Sequence, residues 1–249
     1  RLSIAEEAAI KAMEVAELFL DDPGILKDDF KDIKTLADIK MNESILNVLK
    51  LTNIPILSEE SEFPETDIPS QCWIIDPLDG TFNFGRKFRC SAISIGFWEN
   101  GRPVLGVVKD IFNKTTYNSV FGKGSKVDGV KMEVSKTSDL KKAILATGFP
   151  SGASYETSDL IQIVKNIQEF KKIRAIGSAS MMLSHVANGI FDVYYEKDIY
   201  LWDVAAGLSL VEEAGGQIFF RKTLGLFKYE VLASNKTIFN EVKSLLIKQ

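Results

Sequence analysis

Apolar positions recur along this chain in two rhythms, one in each half. Residues 3–21 place apolar side chains at helical spacing, with Glu6, Glu7, Lys11, Glu14 and Glu17 between them, and the run stops at Asp21-Asp22-Pro23-Gly24. This pattern predicts an amphipathic helix, and its charges speak against a signal peptide. Residues 28–40 carry Asp28, Asp29, Asp32 and Asp38 and read as an exposed loop or weak hairpin, with Asp38 ahead of a second helix over 42–51. Apolar runs at 54–57, 72–76, 91–98, 103–110 and 115–121 predict strands. Glu99-Asn100-Gly101 supplies hairpin-turn chemistry between two of them, so this part predicts an antiparallel sheet.

Beyond residue 143 the rhythm changes. Strand patterns at 143–147, 172–176, 191–195 and 231–233 alternate with helical ones at 157–170, 178–188, 203–214 and 236–248. Such alternation predicts an α/β half with helices covering a sheet. The junction falls near 135–142, giving two halves, 1–138 and 139–249, in one compact unit. The expected fold class is α+β to α/β, with stacked helix and sheet layers and a cleft between the halves.

Composition narrows the chemistry. Among 249 residues there is a single histidine, His185, inside a helical pattern, where it reads as an ordinary packed residue. One imidazole excludes most catalytic zinc sites. The two cysteines, Cys72 and Cys90, do not form a CxxC pair; both fall in strand patterns and read as reduced, buried thiols of a cytoplasmic protein. The net charge is −4 with Lys and Arg spread along the chain, so no nucleic-acid partner is expected. No apolar run reaches the ~20 residues that span a bilayer, so no membrane partner is expected either. Chemistry must come from carboxylates, hydroxyls and backbone.

Several acidic residues sit where apolar elements end: Glu59 and Glu60 after the strand at 54–57, Asp76 closing the next strand, Asp79 three residues later, and Asp203 opening a helix. In Asp76-Pro77-Leu78-Asp79-Gly80-Thr81, Pro77 suits a first helical turn. If the chain turns helically there, Asp76 and Asp79 share a face. Gly80 and Thr81 then offer free N–H groups at a helix start, an anion cradle. One hexapeptide can so supply two oxygen ligands for a hard cation such as Mg²⁺ and a seat for phosphate. Taken singly, each of these motifs is also what a turn, a helix cap or a solvated loop looks like.

Taken together they resemble the inositol monophosphatase family of Li⁺-sensitive, Mg²⁺-dependent phosphomonoesterases. The resemblance rests on Trp73-Ile74-Ile75-Asp76-Pro77-Leu78-Asp79-Gly80-Thr81-Phe82-Asn83-Phe84, on Trp202-Asp203-Val204-Ala205-Ala206-Gly207 continuing to Glu213-Ala214-Gly215-Gly216, and on Leu57-Ser58-Glu59-Glu60-Ser61. Order and spacing fit over nearly the whole chain. It implies the layered α-β-α-β-α fold shared with fructose-1,6-bisphosphatase. It also implies two or three Mg²⁺ ions held by Glu59, Asp76, the carbonyl of Leu78, Asp79 and Asp203. Asp38 and Thr81 would pair beside the attacking water, which Glu59 helps to orient; Glu60 would lie behind the ligands. Gly80 and Thr81 would bind phosphate, Gly177-Ser178-Ala179 would line the substrate, and Glu196 would accept its hydroxyls.

The implied reaction is hydrolysis of a small phosphorylated metabolite, with inositol monophosphate leading. The alternatives are a 3′(2′),5′-bisphosphate nucleotidase, a histidinol-phosphatase, a fructose-1,6-bisphosphatase, or a non-catalytic regulatory homologue. A basic group, Arg86-Lys87-Arg89, is available for a second phosphate or as a solvated face. A homodimer is implied as well. Departures from the family pattern fall at 28–40, 148–155 and 221–228, regions that face substrate or an interface in relatives.

Overall fold

A computed structural model describes residues 1–29, 32–61, 67–149 and 157–247. Its first half runs α1 (Leu2–Leu18), β1 (Ile25–Asp29), β2 (Asp32–Thr35), α2 (Leu36–Leu49), β3 (Ile56–Ser58), β4 (Gln71–Asp79), α3 (Thr81–Gly85), β5 (Ala92–Glu99), β6 (Arg102–Asp110), β7 (Thr116–Val120), β8 (Gly124–Val127) and β9 (Val130–Lys131). The second runs β10 (Ile144–Ala146), α4 (Thr157–Ile167), β11 (Lys172–Arg174), α5 (Ala179–Ala187), β12 (Val193–Tyr200), α6 (Leu201–Glu213), β13 (Gln217–Lys222), β14 (Lys228–Ser234) and α7 (Phe239–Leu246).

Side-chain alternation along β4 fixes the layers. Trp73 and Ile75 join the core under α1 and α2, whereas Cys72 and Ile74 join the core around α5 and α6. A strand that is apolar on both faces belongs inside a stack. β4 lies in a seven-stranded sheet ordered β3-β4-β5-β6-β7-β8-β9, antiparallel except for the parallel pair β3–β4. The second sheet, β11-β10-β12-β14-β13, is parallel through β12 and antiparallel beyond it. Tyr194 and Val231 face α5 and α6, while Val193 and Leu232 face the outer core with α7. The stack is therefore α-β-α-β-α.

Helix α6 lies in the middle layer and is buried from Val204 to Val211, as a helix between two sheets must be. It approaches the first sheet at glycines: a Cβ built on Gly106 would stand 2.3 Å from the carbonyl oxygen of Ala206. That oxygen is backbone and cannot turn aside. Gly106→Ala is therefore expected to destabilise the chain by about 1–3 kcal/mol, read as a lower denaturant midpoint at unchanged slope. An unchanged midpoint would show that the sheet and α6 can part without cost.

Several boundaries differ from the sequence reading. Helix α2 starts at Leu36, so Asp38 is its third residue and does not precede the helix. The polar look of 36–41 hides a stripe of Ala37, Met41, Ile45 and Leu49, all buried. Residues 25–29 and 32–35 pair as antiparallel strands β1 and β2, and 30 and 31 lie outside the described residues. Strand β4 continues past Asp76 to Asp79, and β12 continues past Tyr195 to Tyr200. Edge strand β13 lies where no element was expected. Cys90 is a buried thiol outside any disulfide, as Cys72 is, but it lies just before β5 and not in a strand. Residues 150–155 of the short 148–155 segment, and position 248 of the last expected helix, lie outside the described residues.

Candidate active site

The chemistry-bearing residues meet where β4 ends. Asp76 pairs with Ser94 of β5, and Asp79 with Ala92, so three steps on β4 match two on β5. The extra residue is a bulge. In a regular strand, residues three apart point to opposite faces; the bulge reverses that parity. Asp76 and Asp79 thus share the face toward α5 and α6, while Leu78 turns into the core under α1 and α2. Pro77 has no N–H to offer a ladder and suits this position. The helical turn expected from the Asp76–Asp79 spacing starts only at Thr81; the bulge does the work assigned to it.

Asp76 meets two carboxylates from other elements. Glu59 follows β3, whose parallel pairing with β4 sets Ser58 beside Ile75, and Asp203 lies in the first turn of α6. Glu59, Asp76 and Asp203 each place one oxygen so that all lie within 4.8 Å of one another. Glu59 stays open to water along the cleft although protein surrounds it; Asp76 is buried at the floor. Burial first, and then the neighbouring carboxylates, push Glu59, Asp76 and Asp203 above the usual carboxylate range. Asp76 is flanked by Glu59 and by Asp203. Carboxylates this close need protons or cations between them, and oxygen donors in this number suit a hard divalent cation. The donor set therefore fits a metal ion.

Asp79 is held differently. Its Oδ2 accepts the hydroxyl of Ser178 at 2.6 Å, the hydroxyl of Ser180 at 2.5 Å and the N–H of Ser180 at 2.7 Å, all at the start of α5. Burial raises its pKa against these donors, which favour the ionised form. The other oxygen takes none of these bonds. Ser180 was not foreseen; only its place beside Gly177-Ser178-Ala179 hinted at it.

Asp38 closes the cleft from α2. Its Oδ2 accepts the N–H of Thr35 at 2.7 Å and the Thr35 hydroxyl at 2.5 Å, while the Asp38 N–H reaches the Thr35 hydroxyl oxygen. This capping box fixes the helix start. Its Oδ1 accepts the Thr81 hydroxyl at 2.9 Å, the pair expected from the sequence. Thr81 lies equally close to the carbonyl of Leu78, at 2.9 Å. Burial pushes Asp38 up to about 6 in spite of its donors.

Gly80 adopts φ +85°, a left-handed conformation, and a Cβ there would meet the carbonyl oxygens of Cys90 and Gly177, each at 3.0 Å. The close approach brings the α3 start against Gly177 and Ser178. Within α3 the first bond runs from Phe84 to the Gly80 carbonyl, so the N–H of Thr81 has no partner in the helix. Asn83 clamps the same junction, its amide donating to the carbonyls of Cys90 at 2.8 Å and Ile176 at 2.7 Å. It sits inside the quoted motif, yet nothing in the sequence marks it as a strut.

Glu196 shares the inner face of β12 with Tyr194 and is buried. Burial, then the charge of Asp79, pushes it up to about 8. Ala179, the first residue of α5, is buried beside Ser178. In the basic trio, Lys87 lies 3.6 Å from Asp21, Arg89 donates to the Phe112 carbonyl, and Arg86 stands over the Phe82 ring. Glu60 pairs with Lys34 at 2.5 Å. Among the described residues no helix is long and apolar enough to cross a membrane.

Known proteins resemble this chain along nearly its whole length. Residues 1–245 match the model of the inositol monophosphatase family. The chain is 32% identical over 246 residues to phosphatase IMPL1, chloroplastic, of Arabidopsis thaliana, covering 94% of this chain and 66% of that one. It is 36% identical over 222 residues to Nus factor SuhB of Escherichia coli strain K12, covering 86% of this chain and 83% of that one. A solved structure of inositol monophosphatase from Anabaena (Nostoc) sp. PCC 7120 superposes with a TM-score of 0.84 at 31% identity, covering 99% of this chain and 94% of that one.

Proposed function

The chain belongs to the inositol monophosphatase family, and from that premise we propose that it hydrolyses a small phosphate monoester with Mg²⁺, inositol monophosphate or a similar polyol phosphate leading. The observation that carries this reading is the convergence of Glu59, Asp76 and Asp203 within 4.8 Å. Glu59, Asp76, the Leu78 carbonyl, Asp79 and Asp203 would hold the two or three ions. The Leu78 carbonyl keeps a second lone pair beyond the one facing Thr81. Mg²⁺ bound there would supply charge that offsets the ester dianion and would ease ionisation of the attacking water.

The remaining steps belong to side chains and backbone. N–H groups of Gly80 and Thr81 receive the phosphate oxygens. The Thr81 hydroxyl donates to Asp38, so its oxygen is left to accept from the water and aim it. Asp38 Oδ1 takes the proton through Thr81; a carboxyl raised to about 6 suits proton transfer near neutral pH. Glu196 lies in the wall with Gly148 and meets the hydroxyls of the leaving alcohol. The same reading carries a homodimer and a cytoplasmic setting, the first open to sedimentation.

A phosphate-release panel tests it, with inositol 1-phosphate, fructose 1,6-bisphosphate, histidinol phosphate and 3′-phosphoadenosine 5′-phosphate, each with Mg²⁺ and with chelator. Release that needs Mg²⁺ and is fastest from inositol 1-phosphate is expected. Equal release in chelator would overturn the reading. A regulatory role is the second reading, favoured by the relative named as a Nus factor; Mg²⁺ uptake without release from any of the four esters would favour it.

A further inference from the structure

The Lys34–Glu60 pair takes no part in the chemistry above. Lys34 ends one residue before Thr35, the cap that holds Asp38. Its Nζ lies 2.5 Å from Oε2 of Glu60, the residue next to Glu59. The lysine side chain is 41% exposed and the glutamate 9%, so a rim cation reaches inward to a carboxylate in the wall. Glu60, Asp38 and Glu59 all act on the ammonium and hold it charged. Glu60 in turn is felt by both Asp38 and Glu59. A positive charge therefore stands at the rim, held against Glu60, the residue next to Glu59, with the charges of Asp38 and Glu59 near enough to favour it.

We propose that Lys34, tethered by Glu60, is a built-in cation at the edge of the metal centre, which weakens binding of the outermost divalent ion and supplies part of its charge. The inference rests on the phosphatase reading, because it needs the carboxylate cluster to take up Mg²⁺. Like charges at close range lower each other's affinity, and the coupling is reciprocal. Glu60 contributes by aiming the ammonium, and by being claimed it is kept out of the ligand set. Lys34 is thus a positioning residue, acting on the ion and not on the ester.

Calorimetric titration of Mg²⁺ into the full, metal-stripped chain tests this without any turnover. Wild type, Lys34→Met, Lys34→Arg and a remote control, Lys11→Met, are compared; Lys11 pairs with Glu14 on the exposed side of α1. Removing the charge is expected to tighten the weakest Mg²⁺ site roughly tenfold. Lys34→Arg keeps the charge and should bind as wild type does, and Lys11→Met should leave binding unmoved. A Lys34→Met titration that superposes on wild type overturns the proposal while the phosphatase reading stands. A wild type that takes up no Mg²⁺ overturns both. Should Lys34→Met fail to fold, Lys34→Gln replaces it under the same expectations.

Discussion

Asp79→Asn is expected to lower kcat by at least about 10²-fold while the chain still folds. One carboxylate oxygen accepts three bonds from Ser178 and Ser180. An asparagine carbonyl can accept the same three, so the junction of β4 with α5 survives. The amide nitrogen then replaces the second oxygen, presenting hydrogens where the cluster needs a lone pair and one negative charge fewer. Removing that charge also relieves Asp76 and Asp203, both of which feel Asp79. The metal-free variant should therefore melt no lower than metal-free wild type. This pairing of outcomes separates a lost ligand from a damaged fold. A variant keeping more than about half of wild-type kcat would count against Asp79 as a ligand.

The second large effect is on stability. Thermal stabilisation by Mg²⁺ is expected to be small near pH 5 and large near pH 8. Burial raises Glu59, Asp76 and Asp203 above their usual range, Asp38 to about 6 and Glu196 to about 8. For a raised carboxyl, the folded chain keeps a proton that the unfolded chain has released above a pH of about 4. Its stabilising contribution is thus full below that pH and is lost as pH rises through the folded value. The metal-free chain should therefore weaken from pH 5 to pH 8. Cations take the place of the protons, so their binding releases protons and strengthens over the same window. At a hundred times Kd the gain is about 2.7 kcal/mol, roughly 5–10 °C in Tm for a chain of this size. Melting curves at pH 5, 6.5 and 8, with and without Mg²⁺, read it directly. A shift equal at all three values would mean that the ions bind away from these carboxylates.

How far the sequence could go is clearest at particular residues. The layers were legible because β4 and α6 are apolar on every face, which only a buried element tolerates. Asp76, Asp79 and Asp203 were legible as a set through their motifs, but the reason Asp76 and Asp79 converge was not. A bulge is a two-strand property: it appears only once Asp76 faces Ser94 and Asp79 faces Ala92. Asp38 was foreseen next to Thr81, yet its helix was placed six residues late, since Thr35-x-x-Asp38 is a capping box written without its usual Glu. Strand β13 was missed because Ile218 and Phe220 pack inward while Phe219 packs outward, so no polar residue marks a face. Ser180, Asn83 and Lys34 act across gaps of 101, 93 and 26 residues, to Asp79, Ile176 and Glu60. No local pattern encodes such partners.

A crystal grown with Mn²⁺ in place of Mg²⁺, recorded at a wavelength where manganese scatters anomalously, bears most directly on the central claim. Peaks are expected at about 2.1 Å from oxygens of Glu59, Asp76 and Asp203, with at least one also within reach of Asp79. An anomalous map that is flat among these side chains in a crystal soaked to saturation would contradict the account.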